Sequence, residues 1–280
     1  MPENIICFYH SADLDGHCSG AIVKKFIPNC QLFGIDYNDN FPYELINNQT
    51  IIYMVDFSLP IRQMQKLKLL CKELIWIDHH ISIISDVNST NFKCNGILDI
   101  NYAASLLTWK YFNNNNIPEP IQLIANYDIW DHTNELTVPF QYGLKTEYDT
   151  TPNNQELWSK LFNNEFIKYI EIGKYILKYE EIQNIKLCKK LAFSSTLNGL
   201  PAMCINAIGN SKIFNSIWDE YKSTHKLMLT FIKLKDSNTW KISIYTTHDD
   251  IDCSEIAKSF GGGGHKKAAG FCITELPFKL

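Results

Sequence analysis

In the first half of the chain, short apolar runs repeatedly stop at acids or imidazoles. Residues 5–10 (IICFYH) lead into 11–16 (SADLDG), 51–55 (IIYMV) into Asp56, and 74–77 (LIWI) into Asp78, His79 and His80. Such runs, bounded by turn signals, predict buried strands; Gln31 to Tyr37 is a further candidate. Between them the spacing predicts helices, from Ser19 to Ile27 and from Phe57-Ser58-Leu59-Pro60 to about Cys71, with Ser58 as N-cap and Pro60 in the first turn. Alternating strands and helices imply a mostly parallel sheet with right-handed crossovers. The C-terminal ends of parallel strands share one edge, where open α/β sheets bind ligands. That edge would gather His10, Asp13, Asp15, Asp56, Asp78, His79 and His80.

Further on, helical patterns cover Tyr102 to Phe112 and Ile121 to Tyr127, with a polar loop at 113–116. The second runs into Asp128, Asp131 and His132. A turn cluster at 150–154 is a candidate boundary, and Trp158 to about Lys190 predicts one long helix. Beyond it, strands are expected at Leu191–Thr196, Ala202–Ala207, Leu227–Leu234 and Trp240–Thr246, with a hairpin loop at 235–239. A short helix from Cys253 to Phe260 precedes residues 261–270 (GGGGHKKAAG), and there is no internal repeat.

Carboxylate and imidazole donors without thiolate suit Mn, Mg, Zn or Fe. Asp13, Asp15, Asp56 and Asp128, with His10 and one histidine of the triplet, give six protein ligands. That is too many for a single catalytic ion with open positions and suits two sharing a bridging carboxylate. Two such ions clamp the attacking and leaving oxygens of an in-line displacement, which implies phosphate ester or anhydride hydrolysis by an activated water. Taken singly, the same residues have plainer readings. Asp13 and Asp15 beside Gly16 read as a turn with a helix N-cap, Asp56 as a strand-end cap, Asp128 as a helix-end acid, and His132 as solvated or as a support behind the ligands. Gly261, Gly262, Gly263 and Gly264 read either as an anion nest continued by His265, Lys266 and Lys267, or as a flexible turn after a helix. The segment is not a Walker loop, since it lacks both the preceding strand and the Lys-Ser/Thr ending.

Composition narrows the partners. The 280 residues carry a net charge of −4, and Arg62 is the one arginine. Bidentate clamps on phosphate are therefore scarce, and long duplex DNA, which is held by a basic footprint, is not an expected ligand. The nine cysteines are scattered without a CxxC pair, which predicts free thiols. No signal peptide or membrane-length apolar run is apparent, so a cytoplasmic protein with no membrane partner is expected.

These residues together resemble the DHH phosphoesterases with a C-terminal DHHA1 domain, of the oligoribonuclease-like kind. The resemblance rests on His10, Asp13, Asp15 and Gly16, on Asp56, on Asp78-His79-His80, on Asp128 and on residues 261–270, in family order along almost the whole chain. It implies an α/β fold. A DHH metal-binding catalytic domain with a mostly parallel sheet would span 1–155, a helical linker 156–190, and a smaller DHHA1 substrate-binding domain with a mixed sheet 191–280. It also implies two Mn2+ per chain, with Mg2+ or another divalent ion as substitute. His10, Asp13 and Asp56 would hold one; Asp15, Asp56, His79 and Asp128 the second. Asp78 would orient a neighbouring imidazole, His80 would meet the scissile phosphate, and Gly261–Gly264 with His265 would bind the substrate. One departure is visible. Asp13 and Asp15 stand three and five residues after His10, where many members have four and six. The family's pyrophosphatases carry a different C-terminal domain, and its long-strand exonucleases carry further segments. The expected activity is thus exonucleolytic hydrolysis of di- to pentanucleotides. Alternatives are a cyclic-dinucleotide or nucleotide 3',5'-bisphosphate phosphohydrolase, and a degenerate nucleotide-binding module. A homodimer is left open.

Overall fold

The computed structural model describes residues 4–37, 39–90, 92–235 and 237–279. The N-terminal Met1–Glu3 and Asp236 of the expected hairpin loop lie outside them. The chain divides into two units, Met1–Ile176 and Leu177–Leu280.

The first unit is built on β1 (Asn4–His10), β2 (Gln31–Ile35), β3 (Thr50–Val55), β4 (Glu73–Asp78) and β5 (Asn95–Leu98). They form one sheet in the order β2-β1-β3-β4-β5, every pairing parallel. Its helices are α1 (Leu14–Phe26), α2 (Ile61–Leu70), α3 (Ile81–Thr90), α4 (Ala104–Phe112), α5 (Glu119–Asp128), α6 (Thr137–Leu144), α7 (Gln155–Phe162) and the first part of α8 (Ile167–Leu191). Period-two alternation sorts the strand side chains onto two faces. Ile6, Phe8, Ile52, Met54, Leu74 and Trp76 pack with Met64, Leu67 and Ile83 of α2 and α3. Ile5, Cys7, Tyr9, Val55, Ile75 and Ile77 pack with Val23 of α1 and Leu107 of α4. A further core of α1 and α4–α8 centres on Phe140, Leu144, Trp158 and Tyr169.

Several boundaries differ from the sequence reading. The first helix begins at Leu14 because the Asp13 carboxylate caps it, accepting from Gly16 N. Pro60, not Ser58, precedes α2. The expected single helix from Trp158 is α7 and α8, broken where Asn164 takes a positive φ of 61°; asparagine tolerates that helix-ending conformation. The segment 156–190 read as a linker is largely these two helices, and Leu157, Trp158, Phe166, Tyr169 and Ile170 belong to the first unit's core.

The second unit has a mixed six-stranded sheet in the order β10-β11-β9-β8-β7-β6. Its strands are β6 (Phe193–Leu197), β7 (Leu200–Ile205), β8 (Leu227–Lys233), β9 (Trp240–Tyr245), β10 (Gly263–His265) and β11 (Ala268–Ile273), with helices α9 (Asn215–Tyr221) and α10 (Cys253–Ser259). The β7–β8 pair is parallel and the other pairs are antiparallel. The unit has cores on both sheet faces, one around Leu229, Phe231 and Ala257, the other around Met203, Phe214 and Trp218. Among the described residues no helix is long and apolar enough to cross a membrane.

Candidate metal centre

Strand register assembles the centre. Tyr9 pairs with Val55 and Val55 with Ile77, so His10, Asp56 and Asp78 emerge side by side at the C-terminal edge of β1, β3 and β4. Asp56 has a φ of 55°, a costly conformation for a non-glycine residue. Its amide donates to Ile77 O at 3.0 Å, holding that turn in place. The loop after β1 closes tightly on α1. A Cβ on Gly16 would lie 2.1 Å from His10 O, so only glycine lets the first turn of α1 sit against the end of β1.

Three groups of donors meet there. His10, Asp13 and Asp56 form one, Asp15, His79 and Asp128 another, and Asp56, His79 and His80 a third, the ligating atoms of each lying within 4.8 Å of one another. Asp56 stands between the first two. Its Oδ2 is 3.8 Å from His10 Nδ1, and its Oδ1 is 3.3 Å from His79 Nε2. His10 Nδ1 is 2.9 Å from Asp13 Oδ2, and His79 Nε2 is 3.2 Å from Asp128 Oδ2. Yet His10 Nδ1 and Asp56 Oδ1 are buried atoms that make no hydrogen bond. Donors about 2.0–2.2 Å from a shared divalent cation stand roughly 3 Å apart along a coordination edge. The spacing and the orphaned lone pairs thus both fit cation ligation by oxygen and nitrogen.

Electrostatics agrees. Burial raises the carboxyls of Asp15 and Asp56 above the ordinary range, and neighbouring aspartates add to the effect. Burial, then Asp15 and Asp56, push Asp128 to about 8. Contact with the Asp13 and Asp56 carboxylates raises His10 to about 10. Such a cluster repels itself until a cation neutralises it. Asp128 is also the last residue of α5, where the helix dipole disfavours a carboxylate, so a plain helix-end role explains it poorly.

The plainer readings hold alongside this one. Asp13 Oδ1 accepts from Gly16 N at 2.9 Å while Oδ2 faces His10. Asp15 caps α4, accepting from Ala104 N at 2.8 Å and from Ser105 Oγ.

Asp78 is fully buried. Its Oδ1 accepts from His79 N at 2.7 Å, His80 N at 3.2 Å and His80 Nδ1 at 2.7 Å. With Nδ1 so engaged, Nε2 is the His80 nitrogen left for a ligand. The Asp78 hydrogen bond raises the His80 pKa and favours the imidazolium.

The tetraglycine segment, in the second unit, is a helix stop and a strand. Gly261, at φ 78°, follows the end of α10, with its amide donating to Lys258 O and that of Gly262 to Ala257 O. Gly263, Gly264 and His265 then pair with Gly270, Ala269 and Ala268. A Cβ on Gly262 would meet Gly270 O at 2.2 Å, whereas one on Gly263 would meet nothing within 4 Å. Backbone packing therefore accounts for several of these glycines, and Gly263 and His265 are exposed. Lys267 Nζ is held by Asp249 at 2.6 Å. His132 packs against Trp130 and Tyr127.

Two residues at the centre escaped the sequence reading. Asp36 Oδ1 lies 3.5 Å from His10 Nε2, on the ring edge away from the donor cluster. Outer carboxylates of this kind fix the tautomer of a ligating histidine. Tyr37 lies with its ring 5.4 Å from that of His10 and 6.3 Å from that of His80. The signal was present: β2, like its neighbours, runs straight into an acid.

Residues 201–279 match the DHHA1 domain family. An uncharacterized protein, R106, of Acanthamoeba polyphaga mimivirus is 26% identical over 315 aligned positions, covering 98% of this chain and 69% of its own. The oligoribonuclease NrnB of Bacillus subtilis strain 168 is 44% identical over 52 residues, which span 19% of this chain and 13% of NrnB. Among solved structures, the pGpG-specific phosphodiesterase PggH of Vibrio cholerae superposes with a TM-score of 0.56 at 14% identity, covering 96% of this chain and 93% of that one.

Proposed function

We propose that the chain, whose residues 201–279 match the DHHA1 domain family, is a DHH phosphoesterase, and that it acts as a divalent-metal-dependent phosphodiesterase on di- to pentanucleotides. The observation that carries this reading is Asp56, whose two oxygens face two separate sets of donors. In this reading one ion is held by His10, Asp13 and Asp56, and the other by Asp15, Asp56, His79 and Asp128. When bound, the ions would supply Lewis acidity at the phosphoryl oxygens and a water of lowered pKa. Mn2+ is the expected occupant, with Mg2+ as substitute.

The chain's own groups do the rest. Asp36 keeps His10 Nε2 engaged, leaving Nδ1 as the ligating atom. Asp78 holds His80 through Nδ1, so that Nε2–H donates to a non-bridging oxygen of the scissile phosphate and stabilises its developing charge. Short substrates suit a protein of net charge −4 with a single arginine, since grip on a long backbone needs many cationic contacts. The oligoribonuclease relative and the shared fold of a pGpG-specific phosphodiesterase both support a short-nucleotide substrate.

The test is incubation of the purified protein and Mn2+ with labelled di- to pentanucleotides. Wild type should release mononucleotides, and Asp56→Asn should lose at least about 100-fold in kcat/KM, since it removes a ligand shared by both sites. Equal activity of the two proteins, or none in wild type, would overturn the reading.

A further inference from the structure

Tyr37 is a large aromatic left 52% exposed at the rim of the metal centre. Its ring lies beside His10 and His80 and leans on Phe57 at 5.1 Å between ring centres. The loop that carries it is built rather than loose. Asp36 Oδ1 accepts from Tyr37 N at 2.7 Å, Asp36 N donates to Asp39 Oδ2 at 2.8 Å, and Asp39 N donates to Asp36 O at 2.9 Å. The Asp36 carboxylate that faces His10 thus also sets the position of the tyrosine. Three hydrogen bonds hold in water a ring whose further burial would be favourable. A preorganised, half-exposed aromatic face beside a phosphate-handling centre is what a base can stack on.

We propose that Tyr37 is a stacking platform for a substrate base and makes this site selective for nucleotides over phosphodiesters that lack bases. The inference rests on the phosphodiesterase reading above. With one arginine in the chain, phosphate clamping is a weak source of affinity, and stacking supplies binding that does not depend on charge. A stacked base is worth roughly a 5- to 150-fold change in affinity. It is also tolerant of sequence, because every base has a π face.

The experiment compares a 5'-phosphorylated ribodinucleotide with the same molecule carrying abasic sugars, both with Mn2+. Wild type should prefer the dinucleotide through KM. Tyr37→Ala and Tyr37→Leu should raise the dinucleotide KM roughly 5- to 150-fold, closing the gap to the abasic analogue; the leucine keeps apolar packing against Phe57 but offers no ring face. Tyr37→Phe should retain the preference. Equal losses on both substrates, or a Phe variant as impaired as Ala, would overturn the proposal. If wild type cleaves neither substrate, the phosphodiesterase reading fails, and equilibrium binding of AMP against ribose 5-phosphate decides the stacking. A wild-type preference for AMP that Tyr37→Leu abolishes supports it; no preference overturns it.

Discussion

The Asp78 carboxylate serves the two residues that follow it, accepting from both of their amides and from the His80 ring. It is not a member of any of the three donor groups. Asp78→Asn should therefore leave metal content at the wild-type level by elemental analysis while lowering kcat by about 10- to 100-fold, because the amide cannot hold the His80 imidazolium. Loss of metal instead would make Asp78 part of the ligand set. Gly16 acts through space. A Cβ there would collide with His10 O, and Gly16→Ala should lower stability by about 1–3 kcal/mol, read as a lower urea midpoint, together with weaker metal binding. The triplet at 78–80 and the acids at 13, 15, 56 and 128 were legible in the sequence because each ends an apolar run or a helix. The division of work within the triplet was not, since it depends on which ring turns back on the Asp78 carboxylate. Asp36 and Tyr37 were missed because residues 31–37 read as strand to the end, whereas β2 stops at Ile35.

At the scale of elements, strands were easier to read than helix ends. Apolar alternation located β1, β3 and β4, but α3, β5 and α6 lie in stretches whose weak periodicity gave no signal. The tetraglycine run hid a strand, because four glycines read as a loop, and only pairing with β11 makes Gly263 and Gly264 part of a sheet. The break between α7 and α8 lets Tyr169 of α8 reach back, its hydroxyl donating to Glu147 Oε1 at 2.6 Å just beyond α6. That bond, followed by the one from Lys168, lowers the Glu147 pKa. A carboxyl depressed in the folded state contributes stability above its unfolded pKa and loses it as pH falls through the folded one. Tyr169→Phe should cost about 1 kcal/mol near neutral pH. In urea melts the gap to wild type should shrink as pH drops below the ordinary glutamate range. A gap that is constant with pH would mean that the hydroxyl acts through packing alone.

For the whole molecule, the two units have their own sheets and their own cores. All the donors of the candidate centre belong to the first. Adding Mn2+ should slow amide hydrogen exchange at the C-terminal ends of β1, β3 and β4 and at the end of α5, where the ligands are anchored. Exchange in β6–β9 should stay as it was. Protection spreading equally through both units would show that the metal stabilises them as one cooperative body. The net charge of −4 sets a second expectation at this scale: dinucleotide turnover should vary little between 50 and 200 mM salt, whereas a protein gripping many phosphates loses affinity steeply over that range.

The sequence by itself determined the α/β class, the edge at which the candidate donors gather and most of the residues there. Period-two alternation and abrupt acidic stops are local signals, and parallel pairing carries them all to one side. Only the tertiary structure decided which donors face which. The left-handed turn at Asp56 aims its two oxygens at His10 and His79, and the fold of α5 returns Asp128 to His79. It also decided that Tyr37 stands in solvent beside two imidazoles. Those relations join residues far apart in the chain through register and packing, and no local pattern encodes a distance across a sheet.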